Sequence, residues 1–286
     1  MGLLDKILER MRENMNPSEF NLDKTIDKPV LILAFDSLPK IKIDVIKENL
    51  KRVEPLKTEP SISMDEDSND KDTLMCSIEF DGHKIQLVGL NSPVPDGVLN
   101  YTVEPSFWDE KQKSKLRKHK AHIICYYEGS DTNAIEQYIA LYKIAYSFAG
   151  KKLLGVINEA AWTCTPAEVL ESILSPEMLA DCRKAPSLIL WTGFIKMPTE
   201  YGVWFFTKGN YLLGIRDLAY LGDKSEVQDV NDLFNNVFYY AFENNIELEA
   251  GKTLQLEEGP LLTFKEVEKE KEFIDSPLGT LVIEKV

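Results

Sequence analysis

Gly251-Lys252-Thr253 has the ending of a phosphate-binding loop, one of the few stretches of this chain whose residue types suggest chemistry. Such a loop cradles phosphate oxygens in successive backbone N–H groups, which requires a glycine five residues earlier and a helix opening behind it. Ile246 stands at the glycine position and the residues after Thr253 read as a strand, so the segment is expected to be a turn. Asp65-Glu66-Asp67-Ser68-Asn69-Asp70 sets oxygen ligands at alternate positions, as a calcium loop does. That motif needs glycine at its sixth position and a bidentate glutamate at its twelfth. Asp70 and Cys76 occupy them here, and a solvated acidic loop is the expectation.

His83, His119 and His122 are the only histidines, and no two have the spacing of a zinc-binding helix pair. With so few imidazoles a Ser-His-Asp or Cys-His relay has little to draw on, and no Gly-x-Ser-x-Gly elbow is present. Cys76, Cys125, Cys164 and Cys182 are widely separated, without a Cys-x-x-Cys pair, and read as buried free thiols of a cytoplasmic protein. No catalytic residue, metal or cofactor is assigned. What remains is a binding set. Asn158 and Glu159 follow an apolar strand and precede Trp162, where strand ends present side chains to a cleft; Trp191, Trp204 and Lys208 join them from an aromatic-rich stretch whose first reading is core.

The elements that must position these residues follow from periodicity. Val30–Phe35 reads as a buried strand, with a helix from about Ile41 to Val53. Glu54 to Asp72, acidic and carrying two prolines, reads as a mobile loop. Alternation over 73–80 and 84–90 around Asp81-Gly82 predicts a hairpin. A helix near Pro105 to His119, a strand from His122 to Tyr127, a long helix from about Thr132 to Phe148 and a short strand at Leu153–Ile157 come next. Pro166 and Pro176 each open a helix. Trp191 is read in a strand, with turns at 198–202 and 208–210. Val230, Leu233, Phe234, Val237, Phe238 and Ala241 then line one face of a helix from about Val227 to Asn244. Hairpins outnumber β-α-β crossovers, so the fold class is α+β: largely antiparallel or mixed sheet with helices packed on it, and a hint of two related halves. The division expected is an amphipathic helix and connector over 1–28, an α+β region over 29–185 and a C-terminal module over 186–286.

From Pro186 to about Phe264 the order of features is a Trp191 strand, the run Tyr201-Gly-Val-Trp-Phe-Phe-Thr-Lys-Gly209, Leu213-Gly214, the apolar helix, and Leu248 to Leu256 around Gly251. This order resembles the bacterial family of a domain of unknown function, DUF4261. Asp81-Gly82-His83, Pro93-Val94-Pro95 and Lys118 to Ile124 are similar to the region that precedes this module in longer members. The resemblance implies a fold and no activity.

The sequence holds 47 Asp and Glu against 33 Lys and Arg, a net charge of −14. Nucleic acid and anionic membrane would be repelled, and a basic protein attracted. No apolar run reaches the roughly 18 residues of a membrane span. Against this background, Lys111 to Lys120 carries six Lys and Arg and no acid. Its first reading is a helix whose acidic start and basic end complement the helix dipole; the sharper one is a docking patch. The favoured function is a cytoplasmic protein-binding module, for instance an immunity-type protein that neutralises a basic toxin or effector. The alternative is an enzyme or small-ligand sensor with a cleft near Glu159 and Trp162.

Overall fold

The computed structural model describes residues 28–64, 73–150, 152–186, 188–256 and 259–286. The 1–28 helix, Lys28 apart, and the acidic run Asp65 to Asp70 lie outside them. The described chain separates into two compact units, Lys28–Leu190 and Trp191–Val286.

The N-terminal unit is built on a seven-stranded sheet in the order β2-β3-β4-β5-β1-β6-β7, every neighbouring pair antiparallel. The strands are β1 Val30–Phe35, β2 Ser61–Met64, β3 Thr73–Phe80, β4 His83–Leu90, β5 Ala121–Tyr127, β6 Leu153–Asn158 and β7 Thr163–Pro166. Asp81 (φ 50°) and Gly82 (φ 84°) close the β3–β4 hairpin, both in the left-handed region that a tight two-residue turn of this hand demands. One sheet face is covered by the helices Ile43–Val53 and Ala134–Ser147. The second is apolar nearly all round and almost wholly buried, as a helix must be when it is enclosed by sheet and neighbouring helices. Asn133 caps it by accepting from the backbone N–H of Ile135 and Glu136, and Asn49 donates across to the Ser147 carbonyl at 3.0 Å.

Across β1, β6 and β7 the opposite face is covered by chain from Val94 to Arg117. Val94, Leu99, Val103 and Leu116 form a core there with Ile32, Ala34, Ile157 and Cys164. Leu116 can approach because residue 155 is glycine; a Cβ there would lie 2.7 Å from both the Leu116 side chain and the Thr165 carbonyl.

In the C-terminal unit the sheet order is β11-β12-β13-β10-β9-β8, with β8 Gly193–Thr199, β9 Gly202–Lys208, β10 Asp217–Gly222, β11 Thr253–Gln255, β12 Leu261–Glu266 and β13 Thr280–Lys285. Only β10 and β13 pair in parallel, with Asp217 opposite Thr280. The helix Val227–Asn244 packs on β9 and buries Val230, Phe234, Val237, Phe238 and Ala241, while Leu233 is half-buried. It ends at Asn245, whose φ of 50° breaks the helical path. The α+β reading therefore holds, and the two strand orders differ.

Several local expectations are corrected. Ser61–Met64 is an edge strand inside the stretch read as a loop, since Ile62 pairs opposite Ile78. The helix expected at Pro105 to His119 is shorter, Glu110–Arg117, because Asp109 accepts from the Gln112 backbone N–H and caps its start, and the helix Asp96–Thr102 before it is an additional element. Trp191 ends a one-turn helix, Leu188–Trp191, and the strand begins at Gly193. β7, β10, β12 and β13 were not foreseen.

Candidate functional site

The six residues singled out from the sequence fall in two places. Asn158, Glu159 and Trp162 share the β6–β7 turn. Asn158 is buried, donates to the Tyr138 hydroxyl at 3.2 Å and accepts from the Ala161 backbone N–H at 3.3 Å, so it ties the turn to the buried helix. Glu159 is exposed; its carbonyl accepts from the Trp162 N–H at 3.1 Å, and its carboxylate accepts from the Tyr101 hydroxyl. Tyr101 comes from the helix Asp96–Thr102, and its ring leans against Trp162 with centroids 5.3 Å apart and planes at 47°. Burial, and then Glu159, push the Tyr101 hydroxyl pKa upward, so it remains a donor. Trp162 has φ 51°, an uncommon backbone for a bulky side chain.

Trp191, Trp204 and Lys208 belong to the other unit and are buried at 0, 4 and 5% exposure. Lys208 Nζ donates to the Ile274 carbonyl at 3.1 Å and to that of Asp275, with the Phe206 ring 5.6 Å away. Nearby, Asp217 accepts from the Thr207 hydroxyl at 2.8 Å and the Asn210 N–H at 3.2 Å. Asn210 in turn donates to Thr207 and accepts from Thr192. Burial pushes Lys208 down to about 8, against the pull of Asp217 and Asp275, and pushes Asp217 up to about 6, against Lys208 and its hydroxyl donors. With both groups enclosed by the unit that contains them, this network binds the end of β9, the turn after it and the β10–β13 pair together.

A charged cleft was not legible beforehand. It lies beside the β3–β4 turn, with a volume near 490 Å³, and Lys143, Glu54, Arg183, Glu136, His83 and Asp131 line it. A more open hollow of about 430 Å³ adjoins it through Phe80, Asp81 and His83. Lys143 projects from the buried helix with its side chain 4% exposed, 3.2 Å from Glu54 and 5.3 Å from the Phe80 ring centroid. Arg183 grips Glu54 and Glu136, each at 2.7 Å. Hydrogen bonding from Arg183, followed by the charge of Lys143, holds Glu54 below the usual carboxylate range in spite of partial burial. His83 Nδ1 lies 2.8 Å from the Tyr127 hydroxyl, and burial lowers its pKa. Asp81 fixes the rim by accepting from the backbone N–H groups of Lys57 and Thr58, both at 2.8 Å.

The remaining motifs resolve locally. Gly251, at φ 81°, donates to the Phe264 carbonyl, and Thr253 enters β11, so this stretch is a turn into a strand. His119 accepts from the Val94 N–H at 2.7 Å through Nε2, which sets its other nitrogen to donate to the Leu116 carbonyl; it is a neutral joint. His122 Nδ1 meets the Ser92 carbonyl at 2.7 Å. All four cysteines are free and buried. Burial raises Cys76 and Cys164 to about 11, far from thiolate reactivity. Among the described residues no three His, Cys, Asp or Glu are grouped to hold a metal, and no helix is long and apolar enough to cross a membrane.

By class this is an α+β chain of two helix-on-sheet units, the second organised around a buried Lys–Asp network. Residues 206–284 of that second unit match the family model of a domain of unknown function, DUF4261. No curated protein and no solved structure matches the chain. The match begins within β9 and continues through β13, later at both ends than the aromatic pattern suggested. Its span takes in the parallel partner of β10 and, except for Thr192, the whole Lys208–Asp217 network.

Proposed function

We propose that the chain is a cytoplasmic protein-binding module whose partner is cationic, an immunity-type protein that neutralises a basic toxin or effector being one form of it. The supporting observation concerns the basic stretch 111–120, the one segment that would favour an acidic partner. Four of its six cations meet partners inside the chain. Arg117 holds Glu104 and Glu110, Lys115 meets Glu168 at 3.1 Å, Lys120 meets Asp36 at 3.2 Å, and Lys113 donates to the Glu104 carbonyl. Exposed pairs of this kind add little stability, but they offset part of the local positive field, and across the sequence carboxylates stay in excess and set the long-range potential. Phe107, 61% exposed, supplies contact area of the kind that interfaces favour.

The test is capture of the partner from the native host, followed by association kinetics of the purified pair. Raising salt from 0.1 to 1 M shortens the Debye length from about 10 to about 3 Å, so the association rate is expected to fall at least tenfold; a salt-independent rate, or an acidic partner, contradicts the reading. A second reading, a sensor or enzyme for a small polar ligand, is favoured by the buried Lys143 at the wall of the charged cleft. It predicts that Lys143→Met abolishes ligand-induced thermal stabilisation and leaves protein association intact.

A further inference from the structure

Two charged groups of the cleft in the N-terminal unit keep hydrogen-bonding capacity that the chain does not use. Lys143 carries three ammonium donors on a side chain that is 4% exposed, and among the described residues one acceptor answers them, the Glu54 carboxylate at 3.2 Å. The Phe80 ring, 5.3 Å away, adds only the weaker attraction of an aromatic face. A buried donor left unanswered is costly, the more so when it is charged. Open N–H groups on a buried ammonium at a cleft wall therefore mark a place for an acceptor from outside the chain. Asp131 is the complementary case. Glu54 and Glu136 are both gripped by Arg183, and Asp81 is engaged by the Lys57 and Thr58 backbone. Asp131 accepts from the Asn133 N–H at 2.8 Å through one oxygen, and among the described residues no cation pairs with it. His83, whose Nδ1 is taken by Tyr127, feels the charges of both Asp131 and Lys143, which sets them in one cleft.

The two groups are set apart by one helix. Ala134–Ser147 lines the cleft with Glu136, Ile139, Ala140 and Lys143, and from Glu136 to Lys143 it rises about 10 Å. Asp131 precedes that helix. The cleft, near 490 Å³, thus offers ammonium donors toward one end, an unpaired carboxylate toward the other, and Ile139 and Ala140 between them. This pattern selects among small ligands by charge. A dicarboxylate would bring a like charge to Asp131, and a diamine would bring one to Lys143. A molecule with one charge of each sign at its two ends meets neither penalty and gains a charge-assisted hydrogen bond at both.

We infer that this cleft binds a small elongated zwitterion of the ω-amino acid class, with its carboxylate on Lys143 and its ammonium on Asp131. This rests on the small-ligand reading of the cleft and adds the chemical class and the orientation. Arg183 is a positioning residue: by holding Glu54 and Glu136 it leaves Asp131 as the carboxylate open to the ligand.

The experiment titrates the full chain with three probes of equal chain length, ε-aminocaproate, adipate and hexamethylenediamine. Calorimetry reads the affinity, and nuclear magnetic resonance follows the ring signals of the three histidines, that of His83 being assigned by its loss in His83→Gln. The zwitterion ε-aminocaproate is expected to bind saturably and to move the His83 signal, leaving those of His119 and His122 still. Adipate and hexamethylenediamine should bind roughly tenfold more weakly or not at all. Lys143→Met and Asp131→Asn should each weaken ε-aminocaproate by roughly tenfold or more, with circular dichroism checking that the variants remain folded. If adipate or the diamine binds as tightly as ε-aminocaproate and Lys143→Met abolishes that binding, the class is wrong while the small-ligand reading stands. If ε-aminocaproate binds undiminished to Lys143→Met, both fall. Binding that leaves the His83 signal still, or no binding by ε-aminocaproate, also overturns the inference.

Discussion

Lys143, on the buried helix of the N-terminal unit, and Lys208, at the end of β9 in the C-terminal unit, are both buried lysines, and they are handled in opposite ways. Lys143 keeps a carboxylate partner, Glu54 at 3.2 Å, at the wall of a cleft. Lys208 donates to two backbone carbonyls, with the charges of Asp217 and Asp275 acting on it against burial. The consequence appears in the carboxylates. Glu54 is driven below its ordinary pKa by Arg183 and Lys143, whereas burial drives Asp217 up to about 6. Glu54, beside two cations at the cleft, is held ionised, whereas burial pushes Asp217 and Lys208 toward neutrality. The N-terminal unit thus keeps its charges available at its surface and cleft, while the C-terminal unit uses them to hold its own strands.

The sharpest way to break this comparison is to remove Lys208. Lys208→Met leaves the Ile274 and Asp275 carbonyls without their donor and deprives Asp217 of its nearest cation. The expected loss is ~3 kcal/mol or more in denaturant unfolding, and a change under 1 kcal/mol would show the network to be incidental. Lys143→Met is expected to cost less, because Arg183 still holds Glu54.

The pH dependence should differ in sign between the units. Asp217 has a folded pKa of about 6 against an ordinary 3.8, so the folded chain holds that proton more tightly than the unfolded chain. The resulting stabilisation is complete below 3.8 and is lost as pH rises through about 6, a difference of roughly 3 kcal/mol. Lys208, lowered from 10.5 to about 8, contributes stability above 10.5 that is lost as pH falls through about 8. Between about 6 and 8 both therefore carry charge at a cost. Glu54 runs the other way, since its depressed pKa gives stability that is present above 4.5 and is lost on acidification below it. Unfolding followed by hydrogen exchange should show Asp217→Asn flattening the profile of the C-terminal unit between pH 4 and 6. Glu54→Gln should flatten that of the N-terminal unit below pH 4.5. Identical profiles in both units would remove the distinction.

A smaller effect sharpens the N-terminal side. Gly155→Ala places a methyl 2.7 Å from the Thr165 carbonyl and from Leu116. Overpacking of this kind costs about 1–2 kcal/mol and pushes Glu110–Arg117 off the sheet, so thermal unfolding should fall by a few degrees.

What the sequence disclosed followed distance along the chain. Val227–Asn244 was legible because its apolar stripe repeats locally, and the β3–β4 hairpin because Asp81-Gly82 requires left-handed backbone. Asn158, Glu159 and Trp162 were found together because they occupy one turn. Tyr101, the partner of the last two, was missed, since it arrives from a helix that contact with β6 and β7 stabilises more than its own pattern does. The cleft joins Glu54 to Arg183 across 129 residues, and nothing in either neighbourhood announces the other. Lys208 was chosen for a turn beside aromatic residues, but its signal was the opposite of exposure: a lysine at the end of Val203-Trp-Phe-Phe-Thr sits on a strand buried on both faces. The parallel β10–β13 pairing, which sets Asp217 opposite Thr280, leaves no local trace.

On the protein-binding proposal, the N-terminal unit meets the partner and the C-terminal unit holds itself together. Hydrogen–deuterium exchange of the full chain, with and without the captured partner, tests this most directly. The account predicts protection confined to the N-terminal unit, around Phe107, with exchange at 206–218 and 274–280 unchanged. Protection centred on 206–284, with the N-terminal unit unaffected, would contradict it.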